Sequence, residues 1–399
     1  MPRKTSEATL TPLEKLRFHY ANRDVSARAW RESGGSVVGY FCDSVPVELI
    51  MAAGLLPYRI SGVPDRATDL VAEHVTTIRP PFTRRAATIG FVETALDAVL
   101  GGALDFVDHL VVPHTRKMVQ AAYRQLLLAQ EARPDLRLPS VHYLDKAYIP
   151  SPAASRFNRA ALEGLADAVA SWSGTPLTTH ALERAVDVMN TSRALLARVA
   201  ALRKANPPRI TGPDALAVFG SAAVMPREAH NDLLAAFLED TPPPVAPTDP
   251  VRIHLAGSPQ DHPAVYRAIE TCGAVVVGDD HCWGDRCAWW PVRSGGAPLD
   301  GIAARYDAMP ACSVEFPLAR TVERCVDAAV GSRPDGVIFF DLDGDEAQLW
   351  ETPDEIAALR AAGIPTLHLP RQPYTAHLPE DVTAQIAAFV TSLHTAGVR

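Results

Sequence analysis

Cys42 is the residue of this sequence best placed to do chemistry. It ends the apolar run Val37-Val38-Gly39-Tyr40-Phe41. The stretch after it, Asp43-Ser44-Val45-Pro46-Val47-Glu48-Leu49-Ile50, carries a proline where a helix would begin. The pattern predicts a thiol at the carboxyl end of a strand, beside a helix N-terminus. Open α/β sheets bind ligands at that edge, and a helix N-terminus favours the thiolate, the form that ligates metals. A buried structural cysteine is the alternative. Glu48 falls in the first helical turn, where it is a candidate base or hydrogen-bonding group, or only a carboxylate favoured by the helix dipole.

Four other segments carry reactive residue types. Arg116-Lys117 stands at a predicted helix start and suits a phosphate or carboxylate by charge. Gly257-Ser258-Pro259 follows a strand, so its amides could cradle a phosphate, or it is a plain turn. His281-Cys282-Trp283-Gly284-Asp285-Arg286-Cys287 has metal-binding residue types. Closed zinc sites need four ligands in paired spacings, so a structural loop is expected there. Trp283, Trp289 and Trp290 would then form an aromatic wall, lining an apolar pocket or filling core. Asp341-Leu342-Asp343-Gly344-Asp345 imitates a phosphatase nucleophile motif, but too little chain follows for the remaining catalytic loops. It fails as a calcium loop because its glycine comes too early and Thr352 holds the twelfth position.

The elements that must position these residues follow from pattern. Residues 12–32 read as helix, Val37 to Phe41 as strand, 88–102 as helix, Phe106 to Pro113 as strand and Lys117 to Gln130 as helix. Residues 155–240 hold helical patterns such as Thr178 to Ala205 and no convincing strand. The second half has strands at Val251 to Ala256, Ala274 to Val277, Gly336 to Phe340 and Ile364 to Leu369. Its helices are expected at His262 to Cys272 and Glu351 to Ala362. Such near-continuous apolar strands are those of sheets covered on both faces. The expected class is α/β: two doubly wound parallel-sheet domains, 1–154 and 241–399, with a helical segment at 155–240 between them. The proline-rich run from Thr241 to Pro250 marks the second boundary.

Composition narrows the function. A chain of 399 residues is too long for one ordinary core. A net charge of −8 argues against a nucleic-acid-binding surface. No apolar run approaches the roughly 20 residues of a membrane span. The N-terminal Met1-Pro2-Arg3-Lys4-Thr5-Ser6-Glu7 is no secretory signal, so a cytoplasmic location is expected. Six cysteines, at 42, 272, 282, 287, 312 and 325, are too sparse for a disulfide framework.

Together the Cys42 region, the Gly257-Ser258-Pro259 turn, Val277-Gly278-Asp279-Asp280 and Asp335-Gly336-Val337-Ile338-Phe339 resemble the D-component family. These are the subunits of 2-hydroxyacyl-CoA dehydratases and benzoyl-CoA reductases. Gly174-Thr175-Pro176-Leu177-Thr178, Asn190, Arg193, Arg203 and Ile210-Thr211-Gly212 extend the likeness from about residue 14 to 395. The resemblance implies one-electron (ketyl radical) chemistry on an acyl-CoA thioester, as dehydratase or reductase. It also implies a homologous second subunit, in a heterodimer or homodimer, an ATP-dependent activator protein, and a 4Fe–4S cluster held by three cysteines per subunit. In those terms Cys42 is the first ligand, Glu48 is catalytic, and Arg116, Ser258 and Trp283 bind substrate. The other two ligand positions depart from the pattern: Arg116 occupies one and Gly344 falls near the other. His114 and Asp345 lie on those loops, and His281, Cys282 and Cys287 lie on the loop after Asp280. Fe–S clusters are held by thiolates, so the departure points also to a second role, that of a cluster-free acyl-CoA-binding or scaffold subunit.

Overall fold

A computed structural model describes residues 9–66, 90–240, 242–245, 249–293, 295–309 and 317–397. Its strands form two four-stranded sheets. The first holds β1 (Val37–Tyr40), β2 (Leu56–Arg59), β3 (His109–Pro113) and β4 (Ser140–Leu144), in the order β2-β1-β3-β4. The second holds β5 (Val251–Gly257), β6 (Ala274–Asp279), β7 (Gly336–Leu342) and β8 (Thr366–Gln372), in the order β6-β5-β7-β8. Every pairing is parallel. The protein is thus α/β with two parallel-sheet units, and the two sheets share one topology. In each, strand order reverses between the first and third strands, which leaves a crevice at their carboxyl ends.

The helices are α1 (Pro12–Ala21), α2 (Val25–Glu32), α3 (Val47–Ala52), α4 (Gly90–Leu100), α5 (Lys117–Ala132), α6 (Pro152–Ser173) and α7 (Thr179–Lys204). They continue as α8 (Gly212–Ser221), α9 (Arg227–Phe237), α10 (Ala264–Thr271), α11 (Pro298–Ala308), α12 (Leu318–Ser332), α13 (Glu346–Ala361) and α14 (Glu380–Gly397). Capping sets several starts. Thr11 and Glu14 form a reciprocal capping box ahead of α1, and the Thr178 hydroxyl accepts from Ala181 N at 3.1 Å to start α7. Among the described residues no helix is long and apolar enough to cross a membrane.

Burial explains why these strands form. β7 is buried at all seven positions, as is β6 at all six. One apolar cluster runs through both sheets, taking in Val37 and Leu110 from the first and Ile253 and Ile338 from the second. The long helix α7 reinforces that connection with two buried arginines. Arg193 pairs with Glu48 of α3, whereas Arg203 reaches Asp279 at the end of β6 and Asp285 just beyond, both at 2.7 Å.

Sequence and structure differ in several local details. The predicted helix 12–32 is interrupted at Asn22, where the backbone leaves helical geometry. Strand β3 starts at His109 because residues 101–106 form turns. β2 and β4 are additional. Both are sheet edges: β2 tolerates Pro57, and β4 has only Leu144 buried. Helix α13 starts at Glu346, five residues early, and runs through Pro353. Residues 88 and 89 of the predicted helix 88–102, part of the 241–250 linker and Cys312 lie outside the described residues.

The β5 turn depends on a glycine. Gly257 has φ +100°, and a Cβ there would lie 2.8 Å from Phe340 O and 2.5 Å from Asp341 Oδ1. Gly257→Ala is expected to cost about 2–4 kcal/mol in a urea unfolding curve. An unchanged midpoint would show that this turn can shift freely.

Candidate functional site

The two crevices face each other. Cys42 follows β1 and Thr115-Arg116 follows β3, at the reversal point of the first sheet. Gly257-Ser258 ends β5, and Asp345 follows β7, at the reversal point of the second. These four loop ends meet. Arg116 Nη1 forms an ion pair with Asp345 Oδ2, and the two side chains are 5% and 1% exposed. The Ser258 hydroxyl donates to the same Asp345 oxygen at 2.6 Å and accepts from Leu342 N at 3.0 Å. Cys42 Sγ lies 3.4 Å from the Thr115 hydroxyl. Cys42 is itself left-handed (φ +59°), a conformation that costs energy for a non-glycine residue and recurs at ligand sites.

Of the residues picked out from sequence, the fold brings Cys42, Arg116 and Ser258 to this junction. It places Trp283 and Glu48 elsewhere. Trp283 is buried, with the Arg59 guanidinium over its ring at 4.1 Å and that of Arg23 at 5.3 Å. Glu48 is fully buried between α3, α7 and α11. Its Oε1 pairs with Arg193, and its Oε2 accepts from the Tyr306 hydroxyl at 2.9 Å. Burial alone would raise its pKa, but Arg193 and Arg305 outweigh that and hold it below the usual carboxylate range. Glu48 is therefore an ionised, fully engaged carboxylate. Thr115 and Tyr306 join these clusters without a sequence signal of their own. Asp345, on the loop beside Gly344, is indicated by position.

The residues at the junction do not fit a 4Fe–4S cluster. Among the described residues Cys42 is the one thiol there, Arg116 has no lone pair to give, and Asp345 is taken up by Arg116 and Ser258. His114 Nδ1 turns to Asp145 Oδ1 at 2.5 Å. The 281–287 loop has partners of its own: His281 Nε2 lies 2.6 Å from the Tyr266 hydroxyl, and Arg59 Nη2 donates to Cys282 Sγ at 2.8 Å. The Cys287 thiol donates to Cys282 O at 3.1 Å. Among the described residues no group of three or more His, Cys, Asp or Glu side chains is placed to hold a metal ion.

Beside the junction, a cleft opens at the carboxyl ends of β3 and β4. It is lined by Ser44, Pro113, His114, Lys146, Tyr148 and Tyr306 among others. Behind Asp345, a buried acidic group supports the β7 end. Asp341 Oδ2 accepts from Thr352 at 2.9 Å and lies 2.9 Å from His368 Nε2. Gln348 donates to Glu355 Oε2 at 3.1 Å. Burial, with Asp280, Glu351 and Asp341 nearby, pushes the Glu355 carboxyl up to about 9.

Known proteins resemble this chain in sequence. The profile of the family described as 2-hydroxyglutaryl-CoA dehydratase, D-component, matches residues 42–393. The chain is similar to one of the benzoyl-CoA reductase subunits of Thauera aromatica, at 25% identity over 70% of this chain and 71% of the relative. It is similar to the (R)-phenyllactyl-CoA dehydratase beta subunit of Clostridium sporogenes, at 20% over 84% and 86%. It is also similar to the putative dehydratase subunit YjiM of Escherichia coli (strain K12), at 24% over 77% and 78%.

The junction and its support can each be tested by substitution. Arg116→Met strands a buried carboxylate and is expected to cost about 3–5 kcal/mol, whereas Arg116→Met with Asp345→Leu recovers most of that loss. Chemical denaturation of both variants measures it, and equal losses would mean that the pair carries no coupling. For Glu355 the native carboxyl stays protonated up to about pH 9, while the unfolded one releases its proton near 4.5. Its contribution is thus fully present below pH 4.5 and is lost as pH rises towards 9. Between pH 7 and 9 the melting temperature should fall, and Glu355→Gln should flatten that slope; an unaltered slope would remove Glu355 as its cause.

Proposed function

This chain belongs to the 2-hydroxyglutaryl-CoA dehydratase D-component family. From that premise we propose that it is an acyl-CoA-binding subunit without an iron–sulfur cluster of its own, working beside a related cluster-bearing chain. Arg116 paired with Asp345 is the observation that carries this reading. Arg116 stands at one position where the resemblance places a cluster thiolate, Asp345 directly follows Gly344, which falls near another, and their mutual charge closes the site. Membership supports a subunit of a 2-hydroxyacyl-CoA dehydratase or benzoyl-CoA reductase-type enzyme. In this reading one-electron chemistry belongs to the partner, and the assembly is a cytoplasmic heterodimer served by an ATP-dependent activator.

The acyl-CoA would occupy the cleft at the ends of β3 and β4, the edge at which parallel sheets bind ligands. Lys146 supplies the cation there, and Tyr148 and Tyr306 supply aromatic faces. Two relatives carry benzoyl-CoA and phenyllactyl-CoA in their names, which favours an aromatic acyl group. Glu48 has both oxygens engaged, so in this account it is a positioning residue that orients Tyr306 at the wall of the cleft. Cys42 binds no cluster, and its thiol orders the junction through Thr115.

Two measurements test this proposal on protein prepared anaerobically, alone and with its cluster-bearing relative. Iron and sulfide analysis should assign all iron to the relative, and calorimetry should detect benzoyl-CoA binding to this chain. Lys146→Met should weaken that binding roughly tenfold. Stoichiometric iron in this chain, or no heat with the CoA ester, would overturn the proposal.

A further inference from the structure

A second cavity lies behind the β1 end and shares only its Tyr306 wall with the first. Five arginines line it: Arg59, Arg193, Arg227, Arg286 and Arg305. Four of them have strong partners. Arg59 donates to Cys282 O at 2.5 Å, Arg193 pairs with Glu48, Arg286 donates to Asp280 O, and Arg305 donates to Trp290 O at 2.6 Å. Arg227 is different. It is 8% exposed, its one hydrogen bond is a long 3.5 Å contact to Ser192 Oγ, and its Nε finds no acceptor among the described residues.

Among the described residues no carboxylate forms an ion pair with Arg227. It is the first residue of α9, where the helix dipole already presents positive charge. Asp43 and Glu48 are the nearby carboxylates, together with Asp280 beside Arg286, which leaves an excess of two positive charges. The neighbouring Cys287 thiol is pushed up to about 11 by burial, so it stays neutral, and burial pushes the Tyr40 hydroxyl up as well. Burial pushes the Arg227 guanidinium down from its ordinary value, with Arg193 adding to the effect. A guanidinium nonetheless remains charged in a protein. An unpaired buried charge is costly, and such charges are normally paired.

We propose that this cavity is a binding site for a small organic carboxylate. Its carboxylate would lie on Arg227, whose planar fork matches a carboxylate bidentately, and its hydrocarbon body would lie along Met189, Leu196 and Phe219. Those apolar walls favour a carboxylate with a hydrocarbon tail over inorganic phosphate. The site stands independently of acyl-CoA binding in the first cleft.

Thermal shift and calorimetry on the full chain test this, with sodium benzoate, butyrate and phosphate at matched ionic strength. Benzoate and butyrate should raise the melting temperature saturably, and phosphate should not. Arg227→Met should raise the melting temperature of the ligand-free protein and weaken benzoate binding at least about tenfold. Leu196→Trp, which fills the cavity and leaves Arg227 intact, should also abolish the benzoate response and serves if Arg227→Met fails to fold. A saturable response to phosphate in place of the carboxylates would overturn the ligand class. No carboxylate response in the wild type, or wild-type affinity in either folded variant, would overturn the site. Benzoyl-CoA binding that persists in Arg227→Met separates this outcome from that of the first cleft.

Discussion

The Arg116–Asp345 ion pair is the constraint on which the site depends. It joins the reversal points of two sheets of identical topology, each of which alone would offer a crevice at its strand ends. Both charges are removed from water, so each tolerates burial only because the other is present. Ser258 adds a second hydrogen bond to the same carboxylate and ties it to the backbone of Leu342. The junction is therefore closed by charge and hydrogen bonding between the sheets.

The rest of the interior uses the same device. Arg193 and Arg203 project from one helix into opposite halves of the molecule, the first to Glu48 and the second to Asp279 and Asp285. Arg59 lies over Trp283 and donates to Cys282, tying the β2 end to the loop after β6. Cys282 of that loop thus helps to hold the halves together, while Cys287 and His281 bond within their own half. Guanidinium groups suit this work because each carries several donors in a fixed fork. Arg227 breaks the pattern because no carboxylate among the described residues pairs with it, which is why its cavity reads as a binding site.

Much of this was legible in the sequence. The long apolar runs of β5, β6 and β7 announced a sheet covered on both faces, and Cys42 was placed at a strand end by the residues around it. Arg116 and Gly344 marked departures from a three-cysteine pattern. β2 and β4 were not legible because edge strands need bury little: β2 carries a proline and β4 alternates polar residues. The contact between Arg116 and Asp345 was hidden for another reason. No local propensity links residues so far apart in the chain, and only the meeting of two sheet ends does. The same holds for Glu48, whose first-turn position suggested a base; its Arg193 and Tyr306 partners come from two other helices.

The central claim is that charge pairing replaces cluster ligation at the junction. Anomalous diffraction at the iron edge, from crystals of the chain grown anaerobically with its cluster-bearing relative, examines this directly. The account predicts iron in the relative only, with Arg116 and Asp345 in contact in this chain. An iron peak bonded to Cys42, with Arg116 turned away from Asp345, would contradict it.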